Sequence, residues 1–162
     1  MGRDILFRQE DFIFSYRIAG VLICDGRILL QKPVGDDYAL IGGHVAAFET
    51  SQETLVREFR EEIHADIEVG RLLAVGEIFF HWGAKPCHQI SMYYEVKLKN
   101  PSQIPLDGVF HGYDELDNER IGLDFVWLPM DELPKHTVYP VELMPHILSG
   151  AEGVFHFVSK EE

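Results

Sequence analysis

The chain has 162 residues, 46% of them hydrophobic, which suits a single domain over residues 1–162 better than two domains. Its 27 acidic and 14 basic residues give a net charge of −13, which argues against binding polymeric RNA or DNA because a phosphate backbone requires basic patches. No run approaches the length of a membrane span, no apolar signal-peptide core follows Met1, and two cysteines suggest no disulfide framework, so a cytoplasmic protein without a membrane partner is expected.

The predicted elements begin with β-strands. Residues 1–12 read as an N-terminal arm with a short strand at 5–7, and residues 12–24 are rich in β-branched and aromatic side chains. Asp25-Gly26 is a hairpin signal, so residues 27–32 form the return strand. Arg17 and Lys32 lie on these strands. Each is either an anion contact, as to a phosphate, or an ordinary exposed basic residue, and neither is counted as a functional residue.

A glycine loop and a helix follow. A short apolar run at 38–41 precedes Gly42 and Gly43, and consecutive glycines predict a strand that ends in a backbone turn close to a ligand. Thr50 and Glu53 fit a capping box, which predicts a helix from about residue 51. The side chains that share one arc of this helix and face the core are Leu55, Val56, Phe59 and Ile63.

Three acidic residues form a second arc on the same helix. Glu58, Glu61 and Glu62 are three and four residues apart, so they lie on neighbouring turns. Their like charges repel and oppose the helix dipole near its C-terminal end, and a bound cation would relieve both penalties. Carboxylate oxygens are the ligands that Mg²⁺ and Mn²⁺ prefer. The pattern is therefore either a divalent metal site or a solvated acidic face.

This segment resembles the Nudix box, G-x5-E-x7-R-E-U-x-E-E-x-G-U, where U is a bulky hydrophobic residue. Gly43, Glu49 and the run from Arg57 to Glu62 match it, and the box spans residues 43–65 within an expected loop and helix at 42–65. The resemblance implies a Nudix fold, which is an α/β (α+β) architecture with a mixed β-sheet sandwiched between helices.

Two parts of the box depart from the pattern. His64 and Ala65 stand where it has glycine and a bulky residue, although histidine can take the left-handed position that ends a helix. In the loop, relatives often have glutamate at the position of Ala46 and glycine at that of Phe48. The resemblance therefore does not imply an accessory metal ligand at Ala46 or a flexible glycine at Phe48.

The resemblance also implies roles for individual residues. Glu58, Glu61 and Glu62 would hold Mg²⁺ or Mn²⁺, and Gly42, Gly43 and Glu49 would form the substrate loop. Arg57 would orient a box carboxylate, such as that of Glu49. Relatives often bring a further glutamate from a loop before a tryptophan-containing strand, where Glu119 fits best here and Glu115 second. The general base is then Glu61 or Glu119, and both are kept open.

The C-terminal half contains further strands. Residues 66–81 predict a long bent strand with bulges at Gly70 and Gly76, paired with residues 87–96. His81 and His88 are expected to face each other across this hairpin, either as metal ligands or in structural or stacking roles. Residues 100–123 predict a long loop. The remaining elements are a strand at 124–129, a turn at 130–133, a helix at 140–148 and a strand at 154–158.

The function that the resemblance implies is metal-dependent hydrolysis. The expected partner is a small phosphorylated nucleotide, and the bond cleaved is a phosphoanhydride of a nucleoside diphosphate joined to another group, as in a nucleotide sugar, an ADP-ribose-like molecule or a nucleoside triphosphate. A catalytically silent Nudix module that senses a nucleotide is the main alternative. An isoprenoid diphosphate isomerase would need a catalytic cysteine, which Cys24 and Cys87 do not suggest, and an acidic interaction domain is the third alternative. Nudix relatives are often dimers, so the resemblance also allows a homodimer, but the sequence itself does not indicate the oligomeric state.

Overall fold

The computed structural model describes residues 3–32, 37–116 and 119–161, and the side chains of residues 113–121 lie outside this description. The described residues form eleven strands and two α-helices. In chain order these are β1 (Leu6–Arg8), β2 (Ile13–Cys24), β3 (Arg27–Lys32), β4 (Tyr38–Ala39), β5 (Ile41–His44), α1 (Ser51–Ile63), β6 (Ile67–Trp82), β7 (Lys85–Leu98), β8 (Val109–Leu116), β9 (Glu119–Pro129), β10 (Val138–Tyr139), α2 (Leu143–Ser149) and β11 (Phe155–Lys160).

The strands join in one mixed sheet. Its order is β10-β4-β3-β2-β7-β6-β11, and β1 and β5 both pair with β2. The ladders of β2 with β7 and of β6 with β11 are parallel, whereas β5 is antiparallel to β2. This mixed sheet with helices on it confirms the predicted fold class. No helix among the described residues has the length and apolar character needed to cross a membrane.

The central strand β2 divides the core into two layers because its side chains alternate between the two faces. Ile18 packs in one cluster with Phe59 of α1, and Ala19 packs in the other with Leu143 of α2. The helices therefore cover opposite faces of the sheet. Leu55, Phe59 and Ile63 of the predicted helical stripe are buried, and Val56 is partly buried against the same cluster.

The first hairpin forms as predicted, but the glycine pair does not make a turn. Asp25 and Gly26 have φ values of 52° and 74°, the left-handed conformations of a tight hairpin turn. Gly42 and Gly43 instead lie inside β5, and neither has a positive φ. Their small size is needed for packing, since a Cβ on Gly42 would collide with the carbonyl oxygen of Ile18 on the neighbouring strand.

The long loop predicted for residues 100–123 is wrong. Only its first part is irregular, and β8 and β9 then form an antiparallel hairpin, with Val109 opposite Val126 and Leu116 opposite Glu119. The segment reads as a loop because it is polar and lacks hydrophobic alternation, but main-chain pairing of β9 with β3 holds it in the sheet. Residues 117 and 118 lie outside the described residues.

The second hairpin, between β6 and β7, is largely as predicted. Its register shifts between Val69 and Leu72, which places an irregularity at Gly70. Gly76 is not a bulge, because it pairs regularly with Ser91. Its missing side chain instead leaves space for the ring of Phe157, which a Cβ would strike.

Candidate active site

Helix α1 begins at the junction that the sequence predicts. The hydroxyl of Thr50 accepts a hydrogen bond from the amide of Glu53 (3.1 Å), and the Glu53 side chain accepts one from the amide of Thr50 (3.0 Å). This capping box satisfies two amide groups and fixes the direction in which the loop enters the helix. The helix ends at His64, whose φ of 57° is the left-handed conformation expected for that position.

Arg57 lies at the centre of a carboxylate cluster formed by Glu49, Glu58 and Glu61. Its Nε and Nη2 donate to the carboxylate of Glu49 at 3.0–3.2 Å. Its Nη1 donates to Glu58 Oε1 and to Glu61 Oε2, both at 3.2 Å. The planar guanidinium can make these contacts together because its donors point in fixed directions, which lysine cannot reproduce. The predicted pairing of Arg57 with Glu49 is therefore present.

The contacts in this cluster favour the charged forms of Glu49 and Arg57. The hydrogen bond from Arg57 lowers the pKa of Glu49, partial burial opposes that shift, and a 2.8 Å hydrogen bond from the Thr54 hydroxyl adds to it. Burial disfavours the charged form of Arg57, but its bond to Glu49 and the charges of Glu58 and Glu61 outweigh this and raise its pKa. The pair of Arg57 and Glu49 is thus charged near neutral pH.

We expect Glu49→Gln to lower the free energy of unfolding near neutral pH, and we expect this loss to disappear in acid. The pKa of Glu49 is lower in the folded protein than its ordinary value of 4.5, so the ionised carboxylate stabilises the fold above that pH. The contribution is lost as the pH falls through the lowered folded-state pKa. Urea unfolding of both proteins, from about pH 7 down to about pH 3, measures this difference.

The control for this experiment is Glu68→Gln, which removes the charge of an exposed glutamate on β6. Its effect on stability should be small throughout the series. A loss for Glu49→Gln that stayed constant across the series would contradict a stabilising ion pair with Arg57.

Glu58 is held against the backbone of β5. Its side chain is 13% exposed, and a Cβ built on Gly43 would lie 2.5 Å from its carboxylate carbon. A side chain at Gly43 would therefore displace the carboxylate. The box glycine acts here by allowing the helix carboxylate to approach the strand, not by forming a turn.

The three predicted metal ligands differ in exposure. The side chain of Glu61 is 51% exposed, that of Glu58 is 13% exposed, and Glu62 is buried at 2%. Glu58 and Glu61 share the Nη1 of Arg57, so their carboxylates lie on one side of α1. Across the described side chains, no group of three or more histidine, cysteine, aspartate or glutamate residues is arranged to hold a metal ion. The metal role of Glu58, Glu61 and Glu62 stays a prediction.

Two further predicted acids cannot be compared with the structure. Glu115 and Glu119 lie on β8 and β9, whose backbones are described, but their side chains are among those outside the description. β8 contacts α1, since a Cβ on Gly112 would collide with the main-chain oxygen of Glu62. The hairpin that carries both acids therefore lies beside the helix. Their roles stay predictions.

The loop before α1 has an unusual exposed residue. Phe48 has a φ of 68° and a fully exposed ring, so a bulky residue occupies a left-handed position where relatives often have glycine. Ala46 is buried, and its amide donates to the Thr54 hydroxyl at 3.4 Å. The loop is thus tied to α1 through Thr54, which also contacts Glu49.

His81 and His88 do not face each other. His88 lies opposite Phe79, with ring centroids 4.5 Å apart, and His81 lies opposite Pro86 with its Nδ1 3.5 Å from Glu161. The expectation that they oppose one another across the hairpin is wrong, because the register is offset by two residues. His88 therefore contacts Phe79, and His81 contacts Glu161.

His44, the last residue of β5, is not among the site residues predicted from the sequence. Its ring stacks on Trp82 with centroids 5.9 Å apart and an interplanar angle of 12°, and the guanidinium of Arg8 lies 4.9 Å from the centroid of Trp82. Burial, then the positive charges of Arg17 and Arg8, lower the pKa of His44 to about 3, so its imidazole is neutral. The position of His44 directly after the glycine pair was the available signal.

Comparison with known proteins relates this arrangement to one family. A family model of the NUDIX domain matches residues 15–147. The chain is similar in structure to a MutT protein from Bacillus halodurans (TM-score 0.60, 17% identity, 89% of this chain and 90% of that one). It is also similar to an ADP-ribose pyrophosphatase from Streptococcus suis (TM-score 0.57, 15% identity, 88% and 98%) and to a UDP-X diphosphatase (TM-score 0.57, 21% identity, 88% and 66%). At these identities the likeness establishes a shared fold.

Proposed function

This chain belongs to the NUDIX family of acid-anhydride hydrolases, and we propose that it cleaves, with a divalent cation, a phosphoanhydride in a nucleoside diphosphate joined to another group. Nucleotide sugars, ADP-ribose-like molecules and nucleoside triphosphates are the substrate classes considered. The observation that carries the proposal is the contact of Arg57 with Glu49, Glu58 and Glu61 beside Gly43. These are the residues that match the family motif.

The donor set suits a hard divalent cation. Glu58, Glu61 and Glu62 offer carboxylate oxygens from adjacent turns of one helix, which is the oxygen chemistry that Mg²⁺ and Mn²⁺ require. Glu61 gives only one oxygen to Arg57 and is half-exposed, so its carboxylate can turn toward a cation at little cost. When bound, such a cation neutralises phosphate charge and lowers the pKa of a coordinated water.

The protein residues then have distinct roles in the proposal. Arg57 fixes the carboxylates of Glu49 and Glu58, so that they keep their positions when the substrate arrives. Gly43 leaves room for Glu58 at the strand. Glu61 accepts the proton of the attacking water, and Glu119 on β9 is the second candidate for that base.

Release of phosphate or nucleoside monophosphate from a substrate panel tests the function. The panel comprises nucleoside triphosphates, nucleotide sugars, ADP-ribose and dinucleotides, each assayed with Mg²⁺, with Mn²⁺ and with EDTA. We expect turnover of at least one class with metal and none with EDTA. Turnover that persists in EDTA would refute the metal-dependent mechanism, and nucleotide binding without turnover of any substrate would favour the sensing module.

A further inference from the structure

Arg17 and His44 lie side by side on the face of the sheet opposite α1. The β2–β5 ladder pairs Arg17 with His44 and, one step along, Ile18 with Gly43. Ile18 packs toward α1, so Arg17 and His44 point to the other face because strand side chains alternate. Consecutive residues of β5 thus face different sides of the sheet, with Gly43 beside Glu58 and His44 beside Arg17.

Arg17 is a half-buried cation that has no counterion among the described residues. Among the described residues, none forms a hydrogen bond or an ion pair with its guanidinium. The charges of Arg17 and Glu142 both act on the pKa of the buried Tyr93, which Arg17 lowers and Glu142 raises. Arg17 and Glu142 nevertheless form no ion pair with each other in the described part of the chain. A partly desolvated charge is costly when it has no partner, so this position favours the binding of an anion.

His44 offers a buried polar atom at the same place. The residue is 6% exposed, and its Nε2 is buried with no hydrogen-bond partner among the described residues. The stacked ring of Trp82 fixes the plane of the imidazole. A neutral imidazole can donate one hydrogen bond, and it would do so to an anion that Arg17 attracts.

The distribution of charge supports an anionic ligand. The protein carries a net charge of −13, which repels phosphates from most of its surface. Arg17 and Arg8 are both close enough to His44 to lower its pKa, so positive charge is concentrated here. A phosphorylated molecule is therefore attracted to this face more than to the acidic surroundings.

We propose that Arg17 and His44 bind a phosphate group of the substrate, on the opposite side of β5 from the carboxylates of the box. The inference rests on the proposed function, because that function supplies a substrate with two or more linked phosphates. Trp82 is a positioning residue in this site, since it acts through His44.

Binding of ADP in the presence of EDTA tests this site apart from hydrolysis. Isothermal titration calorimetry compares wild type, Arg17→Gln, Arg17→Lys and a control, Arg71→Gln, which removes an exposed positive charge on β6. We expect Arg17→Gln to weaken ADP binding about tenfold or more, Arg17→Lys to retain part of the affinity, and Arg71→Gln to change little. Equal ADP affinity in wild type and Arg17→Gln, or no ADP binding by wild type, would overturn the inference.

A second measurement observes the wild-type protein, and a variant serves only to assign one resonance. The imidazole resonance of His44, assigned with His44→Gln, should shift in wild-type NMR spectra recorded in EDTA when ADP is added, and should not shift with adenosine, which has no phosphate. No shift with ADP would overturn the inference. Since both experiments exclude divalent metal, absence of hydrolysis across the substrate panel would refute the proposed function and leave these binding results unchanged.

Discussion

Replacement of Glu61 by glutamine is expected to abolish most hydrolysis while leaving the fold intact. The substitution keeps the shape of the side chain and removes its charge, and with it a metal ligand and a proton acceptor. Loss of a general base alone lowers rates by about 10²- to 10⁴-fold. We therefore expect kcat to fall by at least about 10²-fold on the best substrate of the panel.

The fold should tolerate this change because Glu61 is 51% exposed and makes one 3.2 Å contact to Arg57. Exposed ion pairs of this kind contribute up to about 1 kcal/mol. Urea unfolding measures that loss, and Glu68→Gln is again the control for removal of an acidic charge. If Glu61→Gln retains wild-type kcat in Mg²⁺, Glu61 is neither the base nor an essential metal ligand, and Glu119→Gln becomes the variant to assay.

The sequence predicted local features whose causes lie within a few residues. The capping box at Thr50, the left-handed His64 and the tight turn at Asp25-Gly26 all depend on neighbouring side chains or on backbone preference. The Arg57–Glu49 contact was predicted from the family motif, which contains both residues. Each of these features could be assigned without knowing the rest of the fold.

Features that depend on distant strands were not predictable in this way. The β8–β9 hairpin is held by pairing of β9 with β3, about a hundred residues earlier in the chain, and its polar composition indicated a loop. The requirement for glycine at positions 42 and 43 likewise comes from the close approach of β2 and α1. The stack of His44 on Trp82 joins residues from β5 and β6, so no local spacing indicates it.

Alanine at Gly43 and alanine at Gly42 are expected to have different effects, although the residues are adjacent. A Cβ on Gly43 would lie 2.5–2.8 Å from the carboxylate atoms of Glu58, which can move as a side chain. A Cβ on Gly42 would meet the main chain of β2 at Ile18 and Ala19, which cannot retreat from the centre of the sheet. Gly43→Ala should therefore affect activity most, and Gly42→Ala should affect stability most.

The expected magnitudes separate the two variants. Gly43→Ala should fold with a loss of about 1–3 kcal/mol, typical of overpacking, and should lose at least about tenfold in kcat/KM because Glu58 is displaced. Gly42→Ala should lose more than about 3 kcal/mol or fail to fold. Gly122→Ala is the control, since a Cβ there meets no atom of the described residues within 4 Å, and its stability should change by about 0.5 kcal/mol or less.

A double variant decides whether Glu58 is the reason for the Gly43→Ala effect. Truncating Glu58 to alanine removes the atoms that the new methyl group would strike, so Gly43→Ala should destabilise the Glu58→Ala protein much less than wild type. Activity should stay low in the double variant, because the carboxylate is absent. Urea unfolding and hydrolysis of the four proteins in this cycle measure both quantities. If Gly43→Ala lowers the free energy of unfolding equally in wild type and in Glu58→Ala, contact with Glu58 is not the reason that glycine is needed at this position. The close approach of α1 to β5 would then not explain the box glycine.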